Sequence, residues 1–170
     1  MQSVPALQPA QLGLSLRRLG WFVVILLSLS AVAAALFTQH VLDMQPCPWC
    51  VLQRLIFVAI ALAALPGALS RAPWARWASV SGTLVLALSG AAAALWQHFV
   101  AKSSSSCKLT LADRIIGGLG LDSLWPQVFA AYASCADAAV NLLGVPYEFY
   151  SLALYAVIAA LALRIAMLRR

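Results

Sequence analysis

Residues 47–69 read CPWCVLQRLIFVAIALAALPGAL. Two cysteines with two residues between them lead into an apolar run. Gln53 and Arg54 interrupt it in its first turns, and Pro66 and Gly67 near its end. A bilayer takes about 20 apolar residues to cross. Working outward, three more stretches reach that length. Residues 21–37 carry only Ser28 and Ser30 as polar interruptions, residues 77–96 are rich in small side chains, and a last run covers 149–168. The approximate spans are therefore 20–38, 51–69, 77–96 and 149–168. All are rich in Ala and Leu without strand-like alternation, so a barrel is not expected. Inside lipid every backbone amide must be satisfied within the segment, which leaves helices. The expectation is an all-α integral membrane protein. Residues 1–170 form a single membrane domain, a four-transmembrane-helix bundle.

Composition agrees. Hydrophobic residues are 64% of the 170 and charged residues 9%. A soluble domain has roughly 45–50% apolar and about 25% charged residues. Both a water-soluble globule and a disordered chain are excluded. The net charge of +6 points to membrane topology rather than to nucleic acid, for which no partner role is expected. Arg17, Arg18, Arg71, Arg76, Arg164, Arg169 and Arg170 fall on one side of four crossings. The other side holds Lys102, Lys108, Arg114 and every acid: Asp43, Asp113, Asp122, Asp137 and Glu148. Lys and Arg mark the cytoplasmic side. Both termini are expected there, with loops 39–50 and 97–148 outside. Trp21, Trp74, Trp77, Trp96, Tyr147 and Tyr150 sit at the expected span ends, where interfacial anchors belong. The alternative for the first span is a cleaved signal peptide, but its apolar run exceeds the usual 7–15 residues.

All four cysteines fall on the outer side, where disulfides persist. Cys47 and Cys50 lie against the start of the second span, and Cys107 and Cys135 in the long loop. Two stapling disulfides are one reading, and a zinc site another. A two-residue spacer instead favours a pair that is readily reduced and reoxidised, and 28 residues separate the second pair, which is not zinc-knuckle spacing. Cys50 near a helix N-terminus meets free amides and a partial positive charge, which favour the attacking thiolate. Arg54, four residues on, shares its helical face. Arg54 either snorkels to the surface or binds an oxygen-bearing head group or a developing anion. His98 closes the third span. It faces Cys50 and Arg54 if spans two and three are neighbours, as a proton donor or hydrogen-bond partner. His40 reads as an interfacial polar residue. Residues 103–106 are a serine run, read as flexible chain. The Gly-broken apolar stretch between Cys107 and Cys135 reads as an interfacial segment lying on the membrane.

This pattern resembles the DsbB family, the inner-membrane disulfide bond formation proteins of Gram-negative bacteria. Four spans match, as do C-x-x-C after the first, Arg four residues beyond the second cysteine, and a cysteine pair between spans three and four. The run Trp125-Pro126-Gln127-Val128-Phe129 followed by Cys135-Ala136 also matches. The resemblance covers residues 19–167. It implies a bacterial inner-membrane location with both redox loops periplasmic. It implies a periplasmic thioredoxin-fold partner, DsbA, and a membrane quinone, ubiquinone or menaquinone, as electron acceptor, with no metal. It further implies that the partner thiolate attacks Cys107 of a Cys107–Cys135 disulfide. Cys135 then exchanges with Cys47, and Cys50 faces the quinone. Arg54 matches the family's quinone-site arginine, and His98 a histidine near it. The Pro48-Trp49 filling and residues 1–15 depart from the pattern. Three alternatives stand beside this expectation. One is a paralogue with a dedicated partner. Another is an oxidoreductase of the vitamin K epoxide reductase type, in which the loop cysteines precede C-x-x-C. The last is a membrane scaffold with structural disulfides.

Overall fold

The computed structural model describes residues 9–101 and 110–168, with side chains from residue 15 onward. Cys107, Lys102, Lys108, Arg169, Arg170, the serine run 103–106 and residues 1–8 lie outside the described residues. Four long helices dominate: α1 (Pro9–Val41), α2 (Pro48–Leu69), α3 (Pro73–Phe99) and α7 (Tyr147–Met167). Each contains a segment long and apolar enough to span a membrane. The protein is a multi-pass helical membrane protein. α1, at 33 residues and about 1.5 Å per residue, is about 50 Å long, well beyond the roughly 30 Å of hydrocarbon.

Helix ends differ from the expected span ends for local reasons. α2 begins at Pro48, three residues before the apolar run. Proline suits the first helical position, where its missing N–H costs nothing, and Cys47 is the N-cap. α3 likewise begins at Pro73. Gln39 and His40 thus belong to α1, Gln97 and His98 to α3, and Glu148 to α7, although all fall in the expected loops. α1 stops before Asp43, whose φ of 52° is left-handed, a conformation Asp tolerates better than most residues.

α2 packs against α1 and α3, and α3 against α7, while α1 meets α7 less extensively. Small residues set the close approaches, as is usual between helices in lipid. A Cβ at Gly90 would sit 2.2 Å from the Tyr155 ring. That ring stacks on Phe57 at 4.3 Å and 5°, and its hydroxyl donates to the Gln53 carbonyl at 3.0 Å. Gly67 opens a comparable slot, which the Trp21 indole fills. Trp21 is consequently 1% exposed; it is an interior packing residue and not the interfacial anchor that its place at a span end suggested. Trp74, Trp77, Trp96 and Tyr150 are exposed.

The long connection is structured where described. α4 (Leu111–Gly118) opens with a capping box: Thr110 Oγ1 accepts from the Asp113 amide, and Asp113 accepts from the Thr110 amide. Its Ala112 and Ile116 are buried where α4 meets α2, while Leu111 and Leu119 remain exposed. Two four-residue helices follow, α5 (Leu121–Leu124) and α6 (Pro126–Phe129). A two-stranded hairpin, β1 (Asn141–Leu142) with β2 (Val145–Pro146), precedes α7. Leu143 and Gly144 both have positive φ at its turn, the twist that two-residue hairpin loops require.

Candidate active site

The site forms where the start of α2 meets the long connection. Cys47 caps α2, its Sγ accepting from the Cys50 amide at 3.3 Å, and Cys50 lies in the first turn. The two sulfurs are 2.8 Å apart. The Tyr132 and Ala133 amides donate to the Pro46 carbonyl at 3.0 and 3.3 Å, which brings the following residues alongside Cys47. Cys135 is thereby placed beside Cys47. Cys47 and Cys135 are buried and Cys50 is half-buried. Cys47 stands between the other two described sulfurs. Hydrogen bonding to Cys135, then to Cys50, then burial push the Cys47 thiol up. The hydrogen bond from Cys47 shifts Cys135 down against the opposing effect of burial, with help from the Trp49 backbone N–H.

Beneath the sulfurs lies a cavity of about 230 Å³ whose wall includes Cys50, Gln53, Arg54, Gln97, Tyr147 and Glu148. Alanines of α1, Phe57 and Leu154 supply its apolar sides. Arg54 is 5% exposed, so it does not snorkel. Its Nη1 donates to Gln39 Oε1 at 2.6 Å and to the Val128 carbonyl at 3.1 Å. Its Nη2 donates to the Ala35 carbonyl at 3.3 Å. One guanidinium thus ties α1, α2 and the end of α6 together. Its Nε is buried without a partner among the described residues. A buried unpaired donor is costly, and it matches a ligand that carries only acceptor oxygens. A flat apolar ring with carbonyl oxygens, a quinone, fits this wall. Among the described residues no three His, Cys, Asp or Glu side chains are grouped to hold a metal.

The residue that reaches Cys50 from α3 is Gln97, whose Nε2 donates to the Cys50 sulfur at 3.3 Å. Its Oε1 accepts from Gln53 Nε2 at 2.7 Å. His98 points elsewhere. Its Nδ1 lies 2.6 Å from Glu148 Oε1, and its ring packs against Phe99 and Phe149. It meets the cavity only through Glu148. His40 is exposed. Gln39, Gln53, Gln97, Tyr147 and Glu148 are site residues that sequence reasoning missed. The signal for Gln97 was present: Thr83, Ala87, Gly90 and Ala94 are buried at helical spacing and Gln97 continues that face, while His98 is turned about 100° away.

Comparisons with known proteins agree with this architecture. The family model described as "Disulfide bond formation protein DsbB" matches residues 17–165. The chain is 32% identical over 151 residues to the disulfide bond formation protein B of Ralstonia nicotianae, covering 88% of this chain and 93% of that one. It is 36% identical over 153 residues to disulfide bond formation protein B 1 of Pseudomonas syringae pv. syringae, covering 87% and 89%. A relative from Herminiimonas arsenicoxydans is 33% identical over 146 residues, covering 85% and 92%.

Proposed function

The chain belongs to the DsbB family of disulfide bond formation proteins, and from that membership and the sulfur geometry we propose that it is a protein-disulfide:quinone oxidoreductase. It oxidises a periplasmic thioredoxin-fold partner of the DsbA type from the bacterial inner membrane, with its redox loops on the periplasmic face. The observation that carries this reading is Cys47 in contact with both Cys50 and Cys135.

The exchange balances as follows. A partner thiolate attacks Cys107 of a Cys107–Cys135 disulfide, and Cys135 leaves as thiolate. The second partner thiol attacks the mixed disulfide, so the partner departs oxidised and Cys107 is left as a thiol. Cys135 attacks Cys47 of the Cys47–Cys50 disulfide, forming Cys47–Cys135 and releasing Cys50. Cys107 then attacks Cys135, restoring the loop disulfide and releasing Cys47. Two electrons now reside on the Cys47–Cys50 dithiol. Cys135 attacks as the thiolate released from the loop disulfide, since the thiolate is the nucleophile.

A quinone in the cavity would supply the terminal two-electron acceptor. Arg54 and Cys50 would hold it: Arg54 by hydrogen bonds to an oxygen, Cys50 by presenting its sulfur to the ring. Gln97 orients the Cys50 sulfur, Arg54 keeps α6 over the site, and the apolar wall excludes water.

The test uses the purified protein, reduced thioredoxin-fold oxidase and a soluble quinone analogue, followed by quinone absorbance. Turnover is expected in the wild type and lost in Cys47→Ala. Turnover surviving that substitution would sink the relay.

A further inference from the structure

Glu148 is a buried acid on the wall of the cavity. It is 5% exposed and shares that wall with Cys50 and Arg54. Burying a carboxylate is costly unless it is paired. The permanent cation nearby is Arg54, yet that guanidinium is bonded to Gln39 and to two main-chain carbonyls. Among the described residues the ion pair of Glu148 is with His98, whose Nδ1 lies 2.6 Å from Oε1. Arginine keeps its proton at any working pH, whereas histidine exchanges protons near neutrality. The buried acid is therefore matched to a base that can pass a proton on.

The pair also crosses the wall. The Glu148 side chain is 5% exposed and the His98 side chain 22%. His98 lies in the last turn of α3 and Glu148 in the first turn of α7. Helix ends of that polarity suit a base and an acid respectively. With Nδ1 taken by Glu148, the second ring nitrogen is the atom left to trade protons with water. The other groups on the wall do not offer such a path. α2 supplies Cys50, which carries the electrons, and Arg54. α3 supplies the neutral Gln97 beside His98, and α1 the neutral Thr38. The Tyr147 hydroxyl is bonded to Thr38 and the Tyr150 hydroxyl donates to the Leu142 carbonyl. Glu148 is the one carboxyl among the described lining residues.

We propose that Glu148 and His98 carry protons between the outer water and the cavity. The inference rests on quinone reduction as the function proposed above. As the Cys47–Cys50 bond forms, the dithiol gives up two electrons and two protons, and reducing a quinone to a quinol consumes two of each. The sulfur protons are released to water. Glu148 gives its proton to an oxygen of the reduced acceptor and regains one from the His98 imidazolium, which is recharged from the outer water. Two such transfers close the balance.

The test uses the full chain with Cys47 and Cys50 reduced. Glu148 is the only glutamate in the sequence, so a glutamate labelled with carbon-13 at its side-chain carboxyl reports on it alone. Isotope-edited infrared spectra of the quinone-free protein, taken at an acidic pH where the protonated carboxyl band is present, time its shift in D2O. Deuteration within minutes is expected in the wild type, and at least tenfold slower in His98→Phe. A wild-type carboxyl closed to D2O for hours, or equal rates in the two proteins, would overturn the relay. The second readout is single-turnover reduction of a soluble quinone analogue. Positioned proton transfer is typically worth about 10²–10⁴-fold, and Glu148→Gln is expected to be at least tenfold slower. Formic acid should restore Glu148→Ala in proportion to its concentration, a response that lost packing would not give. A deficit that formic acid leaves untouched would make the pair purely structural. An unaltered rate in Glu148→Gln would refute the relay alone, whereas no reduction by the wild type would refute the quinone reading and the relay with it.

Discussion

Gln97 donates to the Cys50 sulfur across the α2–α3 interface, and no charged group of α3 does so. The amide is held in that orientation because Gln53 donates to its oxygen. The sulfur nearest the cavity is thus addressed by a neutral donor fixed by a second amide. Gln97→Glu keeps the size but cannot donate when ionised, and it places like charge beside a thiolate. Single-turnover quinone reduction is expected to slow at least tenfold, about 1.4 kcal/mol. Exchange between the partner and Cys107 should be unchanged. Equal slowing of both steps in stopped-flow traces would contradict this role.

The Cys47–Cys135 contact predicts an order of modification. Cys135 is shifted down and Cys47 up, so Cys135 becomes thiolate at lower pH. As pH rises, a small alkylating agent should label Cys135 before Cys47 in the reduced protein. Peptide mass spectrometry across a pH series reads the order. Removing Cys47 removes the hydrogen bond that lowers Cys135, so in Cys47→Ala the Cys135 labelling onset should move to higher pH.

Arg54→Lys preserves charge and removes the planar fork that bonds Gln39, Ala35 and Val128 at once. The two side chains are not equivalent at such a site. The expected outcome is a rise of tenfold or more in the KM for a quinone analogue, together with faster proteolysis near residues 126–130 as α6 loosens. A lysine variant with unaltered KM would mean that charge alone suffices.

Gly90→Ala drives a Cβ into the Tyr155 ring. Overpacking of this kind costs typically about 1–3 kcal/mol, and here it also pushes the Tyr155 hydroxyl off the Gln53 carbonyl. The thermal midpoint in detergent should fall. Gly90→Ala/Tyr155→Leu should recover part of the loss, because the ring is gone. Failure of that rescue would locate the damage elsewhere.

The spans were legible in the sequence because apolar length is a one-dimensional property. Their starts were less so. Pro48 and Pro73 extend α2 and α3 outward beyond the first apolar residue, and a hydropathy argument does not register that. Cys50 and Arg54 were legible as a pair because a spacing of four puts both on one face. The neutral partners were not. Gln39, Gln53 and Gln97 carry no charge to draw attention, and each gains its role only from a partner at least 15 residues away. Trp21 misled for the same reason: its burial depends on Gly67, which lies 46 positions later in the chain. Glu148 fell at the end of the expected long loop, and it became a cavity residue because α7 begins at Tyr147.

The hold of the Pro46 carbonyl on the amides of Tyr132 and Ala133 involves no side-chain atom. Ordinary substitutions at those three positions therefore leave the groups in place, and only a proline at 132 or 133 would delete a donor. The long connection can change its surface side chains while the backbone hold that brings Cys135 to Cys47 persists, so the face it presents and the sulfur contact beneath it are free to evolve separately.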